Sequence, residues 1–310
     1  MFATDGIIMA KIFKTGIFFL LLLTVVAAKG QADFVFTNAE KPDSFAVAFQ
    51  IKDALIRVTA DVNGKATDFI LDNGCPYLVI NSRYWKSGVQ QDTSVKARGV
   101  GGEVNAGAVL IDSFNWQGLR KQQFKAIAAD LPHLGDSIGG LMGLDVYKDY
   151  RVTFDFKRGF ILFTKGEVAD EKPDSTALPV ILPFVFSGHM PVINCTIEQK
   201  KIQMGIDCAA SPNLIAAKLL AGIKGISNLR NTILKGGGAP VMVAEGDIKE
   251  LWLESIPYRD MKFTFDNTSL LQINQGRDIA LEGLLGIPFL KQYKTVLDFP
   301  NRRIEVYVEN

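Results

Sequence analysis

Two stretches decide the reading of this chain: Phe69-Ile-Leu-Asp72-Asn-Gly-Cys75 and Met204-Gly-Ile-Asp207-Cys-Ala-Ala210. Each is an apolar run that ends in a carboxylate and continues into small residues, the pattern of a buried strand entering a tight loop. They lie 135 residues apart, and the same offset relates their surroundings. Upstream, Val58-Thr-Ala-Asp-Val-Asn-Gly-Lys65 corresponds to Ile193-Asn-Cys-Thr-Ile-Glu-Gln-Lys200; downstream, Leu78-Val-Ile80 corresponds to Asn213-Leu-Ile215. Asp-Asn-Gly alone is an ordinary hairpin-turn signal. Its place in a repeated frame makes Asp72 a candidate for more.

The repetition continues. Gly140-Leu-Met-Gly-Leu-Asp-Val-Tyr-Lys-Asp-Tyr150 corresponds to Gly283-Leu-Leu-Gly-Ile-Pro-Phe-Leu-Lys-Gln-Tyr293, now at an offset of 143, so the second copy carries an eight-residue insertion between the two motifs. One unit used twice sets the architecture. In each copy β-branched and aromatic runs predict strands at Phe45–Phe49 and Ile56–Val62, and at Val180–Val185 and Val192–Ile197. Short helices are expected near Ser82–Ser87 and Asn213–Ala221, and each copy closes with a hairpin whose turn holds Lys157-Arg-Gly159 or Pro300-Asn-Arg302. Asp155 and Asp298 also repeat, but each precedes a Phe at a strand end and reads as structural.

The expected fold is all-β: two barrel-like lobes facing each other across a central cleft, with a few short helices. The expected organisation is a signal peptide at 1–32, a first lobe at 33–165, a polar linker with Pro173 at 166–178, and a second lobe at 179–310. The leader reading rests on Lys11 and Lys14, the apolar run Ile17–Val26 and the small residues around Ala28–Ala32. That run is well short of the roughly 20 residues that span a bilayer as a helix. An exported protein, periplasmic or secreted and with no membrane span after cleavage, is therefore expected.

With 34 basic and 33 acidic residues the chain has no basic stripe for a phosphate backbone, which argues against nucleic acid as a partner. Three cysteines, Cys75, Cys195 and Cys208, form no CxxC pair and leave at least one thiol free. Only two histidines, His133 and His189, are present, and neither has a second candidate ligand nearby in sequence, so no metal or other cofactor is expected.

An apolar strand ending in Asp-x-Gly, followed about 70 residues later by two apolar residues and a Gly, resembles the bacterial retropepsin-like and pepsin-like aspartic proteases. The resemblance spans about Phe45 to Tyr307. It implies that Asp72 and Asp207, one from each lobe, meet at a pseudo-twofold axis as a catalytic pair that hydrolyses peptides without metal or covalent intermediate. It implies also that Leu-Met-Gly143 and Leu-Leu-Gly286 pass behind the two Asp loops. The glycine-rich segments with Gly99, Gly101 and Gly102, and with Gly236, Gly237 and Gly238, are similar to the flaps that close over substrate. The implied partner is a peptide or protein, and the internal duplication implies a monomer.

The loops depart from the family pattern. Asn73 and Cys208 stand where Thr or Ser forms hydrogen bonds between lobes, and Ala209 replaces the glycine that Gly74 retains in the first loop. Cys is a weak donor and acceptor. The expectation is thus an aspartic-type endopeptidase with a degenerate second loop, the alternative being a catalytically impaired peptide-binding protein of the cell envelope that keeps the fold.

Overall fold

The computed structural model describes residues 17–20, 24–27, 34–86, 89–91, 95–99, 102–166, 179–236 and 239–308. Most of the proposed leader and linker, with Gly101, Gly237 and Gly238, lies outside the described residues.

Period-two burial builds both lobes. Along Leu55–Val62 the apolar residues Ile56, Val58, Ala60 and Val62 are buried while Thr59 between them is exposed, as expected of a strand with one face on a core. This strand pairs antiparallel with Lys65–Asp72, whose last four residues are all buried. The change from alternating to continuous burial marks where the chain leaves the barrel wall for the interior. In the second copy Met190–Ile197 and Lys200–Ile206 form the same hairpin.

An eight-stranded sheet occupies the first copy. Its order is Gln50–Lys52, Leu55–Val62, Lys65–Asp72, Gly140–Gly143, Val79–Asn81, Leu119–Ala129, Ala106–Trp116 and Val89–Gln91, and it curls on itself where Phe114 opposes Val62. The second copy repeats this in a nine-stranded sheet, curled where Thr196 opposes Trp252. The closing hairpins of both copies join a third, six-stranded sheet in the order Val180–Pro183, Arg303–Tyr307, Lys294–Asp298, Arg151–Asp155, Phe160–Thr164 and Ser44–Ala48. Arg151–Asp155 and Lys294–Asp298 pair antiparallel, with Arg151 opposite Asp298, so the two copies share this sheet.

An aromatic nest above the shared sheet fastens the first lobe to it. Phe45 stacks on Phe163 at 4.7 Å, and Trp116, Tyr147 and Tyr150 pack edge-on around them. Burying one such ring contributes roughly 1.5–3 kcal/mol. Asp298 accepts bonds from Asn301 and Arg303, and Asp155 from the amide of Arg158, so both repeated acids tie hairpin turns.

The sequence reading misplaces one element. Ser82–Tyr84 forms a turn rather than a helix, while the second copy has a strand at Asn213–Ile215 and a 3-10 helix at Ala217–Gly222. The turn is tied by Asn81, whose side chain is held by the carbonyls of Gly135 and Ile138 and accepts the amide of Arg83. A short polar side chain satisfying nearby backbone favours a turn over a helix.

Two short strands lie within the proposed leader. Ile17–Leu20 runs parallel to Ile233–Gly236, and Thr24–Ala27 runs antiparallel to Val95–Arg98. Both of their partners belong to the glycine-rich hairpins. No helix among the described residues is long and apolar enough to cross a membrane.

Candidate active site

The strand Lys65–Asp72 delivers Asp72 to the centre of the molecule because a second strand, Gly140–Gly143, runs parallel behind it, with Gly143 opposite Asp72. Gly140–Gly143 is wedged between Lys65–Asp72 and Val79–Asn81, so there is no room for side chains at its ends. A methyl at Gly143 would lie 1.9 Å from the Tyr77 carbonyl oxygen. In the second copy Gly283–Leu285 runs behind Lys200–Ile206, and a methyl at Gly286 would lie 2.2 Å from the Ala210 oxygen. These are close backbone approaches that only glycine permits.

The loops meet through a reciprocal grip. The Asn73 side-chain amide donates to the Ile206 carbonyl at 2.6 Å, and the Cys208 thiol donates to the Leu71 carbonyl at 3.4 Å. The Cys208 amide donates to Asn73 Oδ1 at 2.8 Å, and the Asn73 amide to Cys208 Sγ at 3.4 Å. Leu71 and Ile206 are equivalents in the repeat, as are Asn73 and Cys208, so the four bonds follow a pseudo-twofold axis. Tyr147 Oη lies 4.0 Å from the same sulfur.

Asp72 and Asp207 flank this grip, and neither is accessible to solvent. Gly74 lies directly against the opposite carboxylate: a methyl there would be 2.7 Å from Asp207 Oδ2. Asp207 Oδ1 accepts the Ala209 amide at 2.8 Å, whereas Asp207 Oδ2 and both oxygens of Asp72 have no hydrogen-bond partner among the described residues. Three of the four buried carboxyl oxygens of the pair thus accept no direct hydrogen bond among the described residues. Burial, then the charge of Asp207, holds the Asp72 carboxyl well above the usual carboxylate range, with the nearby amides of Cys75 and Gly74 offsetting part of the rise. Burial also raises Asp207, opposed first by the Ala209 amide and next by the positive charge of Arg277. The environments of the two acids are therefore unequal, with the Ala209 amide and Arg277 both favouring the ionised form of Asp207.

Ala209 adopts no left-handed backbone, and its methyl joins the apolar cluster of Ile70, Cys75, Tyr77 and Leu141, so this departure from glycine is accommodated without strain. Cys75, Cys195 and Cys208 are free thiols. Burial pushes Cys75 and Cys208 well above the ordinary thiol range, and the carboxylates add to the rise, which leaves both in the unreactive protonated form.

Of the first glycine-rich segment, Val95–Gly99 pairs with Gly102–Val104, with Gly99 opposite Gly102, and Arg98 reaches across to Gln275 Oε1 of the second lobe at 2.7 Å. Of the second, Gly236 ends the strand Ile226–Gly236. Among the described residues no cluster of His, Cys, Asp and Glu could hold a metal ion. A cavity of about 420 Å³ beside Phe156, Tyr293 and Lys294 opens at one end of the shared sheet and has no lining residue in common with the Asp loops.

Two participants escaped the sequence reading, His189 and Arg277. His189 Nε2 lies 2.7 Å from the Gly74 carbonyl oxygen, and Arg277 exerts its charge on Asp207. Neither falls in a repeated motif, so the duplication that exposes the aspartates conceals them.

Residues 58–146 match a family model described as aspartyl protease. Among solved structures the chain is similar to the aspartic proteinase from Irpex lacteus, with a TM-score of 0.58 and 13% identity over 86% of this chain and 98% of that one. No curated protein matches the chain by sequence. The chain thus resembles the aspartyl protease family in sequence over residues 58–146 and shares the pepsin-like fold across both lobes.

Proposed function

We propose that the protein is an aspartic-type endopeptidase in which Asp72 and Asp207 activate one water between them. The observation that carries this reading is the pair of solvent-excluded carboxylates set about a reciprocal grip, with three of their four oxygens unpaired. Two such groups cannot both ionise comfortably and titrate as a pair sharing one proton. Asp207, bonded to the Ala209 amide and facing the field of Arg277, takes the role of carboxylate, and Asp72, raised further by the charge of Asp207, holds the proton.

In the reaction Asp207 takes a proton from water as the water oxygen attacks the scissile carbonyl carbon, and Asp72 gives its proton to the carbonyl oxygen. Collapse of the resulting diol returns a proton to Asp72, while Asp207 passes its proton to the departing amine. An acid and an amine leave, and the pair is restored. The Asn73–Cys208 bonds fill the place that Thr or Ser occupies in the family, so the second loop departs in residue type while keeping its connections.

Peptide as the ligand class draws support from the glycine-rich hairpins, whose edges already pair with extended apolar segments, Ile17–Leu20 and Thr24–Ala27. Addition of an extended chain to a free strand edge is a general mode of peptide recognition. Incubation of the full chain, and of a form beginning at Asp33, with a mixed peptide library from pH 3 to 9 tests the proposal. Cleavage lost in both Asp72→Asn and Asp207→Asn is the expected result; tight peptide binding with no cleavage at any pH would instead favour the impaired binding protein.

The apolar run behind Lys11 and Lys14 supports export to the periplasm or beyond. Cell fractionation with the mass of the recovered N-terminus checks it. A full-length chain confined to the cytoplasm would overturn it.

A further inference from the structure

The duplication breaks at one turn beside the site. In the first copy the turn between Gln50–Lys52 and Leu55–Val62 is Asp53-Ala54, both with positive φ and both exposed. Its counterpart in the second copy, 135 residues on, is Gly188-His189, between Val185–Ser187 and Met190–Ile197. The turn that holds a methyl in one lobe holds an imidazole in the other. Gly188 takes the positive φ of 61°, which leaves His189 free of left-handed strain and lets its ring lie back toward the axis.

That ring reaches the other lobe, with Nε2 2.7 Å from the carbonyl oxygen of Gly74. A carbonyl only accepts, so Nε2 carries the hydrogen. The turn itself is braced from behind: the Arg277 guanidinium donates to the Ser187 carbonyl and to that of Ile273, and Ser187 Oγ donates to the Ile279 carbonyl at 3.0 Å. Gly74 is therefore held on two sides. Its carbonyl is bound by His189, and its α-carbon rests against the Asp207 carboxylate with no room for a methyl.

We propose that His189 is a positioning residue: it donates a hydrogen bond across the lobe interface to the Gly74 carbonyl and so sets the first Asp loop against Asp207, with Arg277 bracing the turn that carries it. The kinetic consequence rests on the peptidase reading; the tether itself does not. Arg277 has a second effect, since one guanidinium both braces the turn and favours the ionised form of Asp207. The imidazole faces Arg277 on its own side of the interface and, through Gly74, Asp207. Although part of the ring is exposed, the dense protein around it holds it in the neutral form, its pKa lowered to about 4 chiefly by desolvation and further by Arg277, against the Gly74 bond.

The test has a spectroscopic and a kinetic arm, both on the full chain. Nitrogen NMR of the wild-type imidazole should show Nε2 protonated and Nδ1 bare from neutral pH to about 5, below the usual histidine range. An Nδ1–H tautomer would overturn the proposal. In His189→Ala, amide exchange at Asn73–Cys75 should quicken about tenfold or more as the loop loosens, and His189→Gln, which returns an N–H donor, should restore most of the protection. Under the peptidase reading kcat should fall about tenfold to a hundredfold in His189→Ala with little change in KM, and recover in His189→Gln. Loop exchange unchanged in His189→Ala defeats the tether even if the wild type cleaves peptides. A wild type that cleaves nothing while exchange responds as stated defeats the peptidase reading alone.

Discussion

Asn73 and Cys208 hold each other across the lobe interface: the Cys208 amide donates to Asn73 Oδ1 at 2.8 Å, and the Asn73 amide donates back to Cys208 Sγ at 3.4 Å. Two unlike side chains thus occupy equivalent places and perform equivalent bonding. The long sulfur contacts make Cys208 the weaker half.

Replacing Cys208 should therefore separate bonding from bulk. Cys208→Ala leaves the Asn73 amide and the Leu71 carbonyl buried without a partner, at a cost of about 1–3 kcal/mol for each group left unsatisfied. Cys208→Ser supplies a better donor and acceptor, and should retain or raise both stability and cleavage. Urea unfolding with a peptide assay measures both, and equal losses in the two variants would show that the grip is not the reason.

Gly74 and Ala209 are equivalent in sequence but not in tolerance. A methyl at position 74 would sit 2.7 Å from Asp207 Oδ2, so Gly74→Ala must displace one loop. Displacement of a catalytic group by an ångström costs about a hundredfold in rate, and that is the expected fall in kcat. The methyl at position 209 is already packed, and Ala209→Gly should lose roughly 0.5–1 kcal/mol of stability with cleavage preserved.

The pH profile should be displaced upward. Burial raises both carboxyls, so the singly protonated pair persists to higher pH than in a solvated dyad. Low pH protonates both groups and removes the base; high pH ionises both and removes the acid. The bell in kcat/KM against pH should accordingly centre nearer neutrality than an exposed carboxyl pair would allow. Arg277→Gln removes a charge that favours ionised Asp207, and should move the acid limb to higher pH.

A separate carboxyl governs stability. Asp145 accepts the Phe36 amide at 3.0 Å and is raised to about 7, chiefly by burial. Its ordinary value in the unfolded chain is near 4, so between about pH 4 and 7 the folded state holds the extra proton and stability falls as pH rises. Asp145→Asn should flatten this part of the curve, raising Tm at pH 8 relative to wild type with little effect at pH 4. Thermal melts across that range decide it.

The duplicated frame, the strands that end at Asp72 and Asp207, and the glycines behind them are legible in the sequence, because each is written in local pattern. Apolar runs make strands wherever they fall, and a repeat preserved in order carries its topology with it. Even the hairpins that join the lobes were legible, since their breakers lie in the turns. The helix expected near Ser82 was not formed, because Asn81 satisfies backbone groups more than 50 residues away in sequence that no local window contains. The meaning of the unrepeated residues emerges only from the folded arrangement. Cys208 is a poor hydrogen-bonding residue until Leu71 and Asn73 are placed beside it, and His189 is one of two scattered histidines until folding brings its Nε2 to the Gly74 carbonyl. Strands follow from neighbours along the chain, whereas these roles follow from contacts made across an interface that exists only once both lobes have closed.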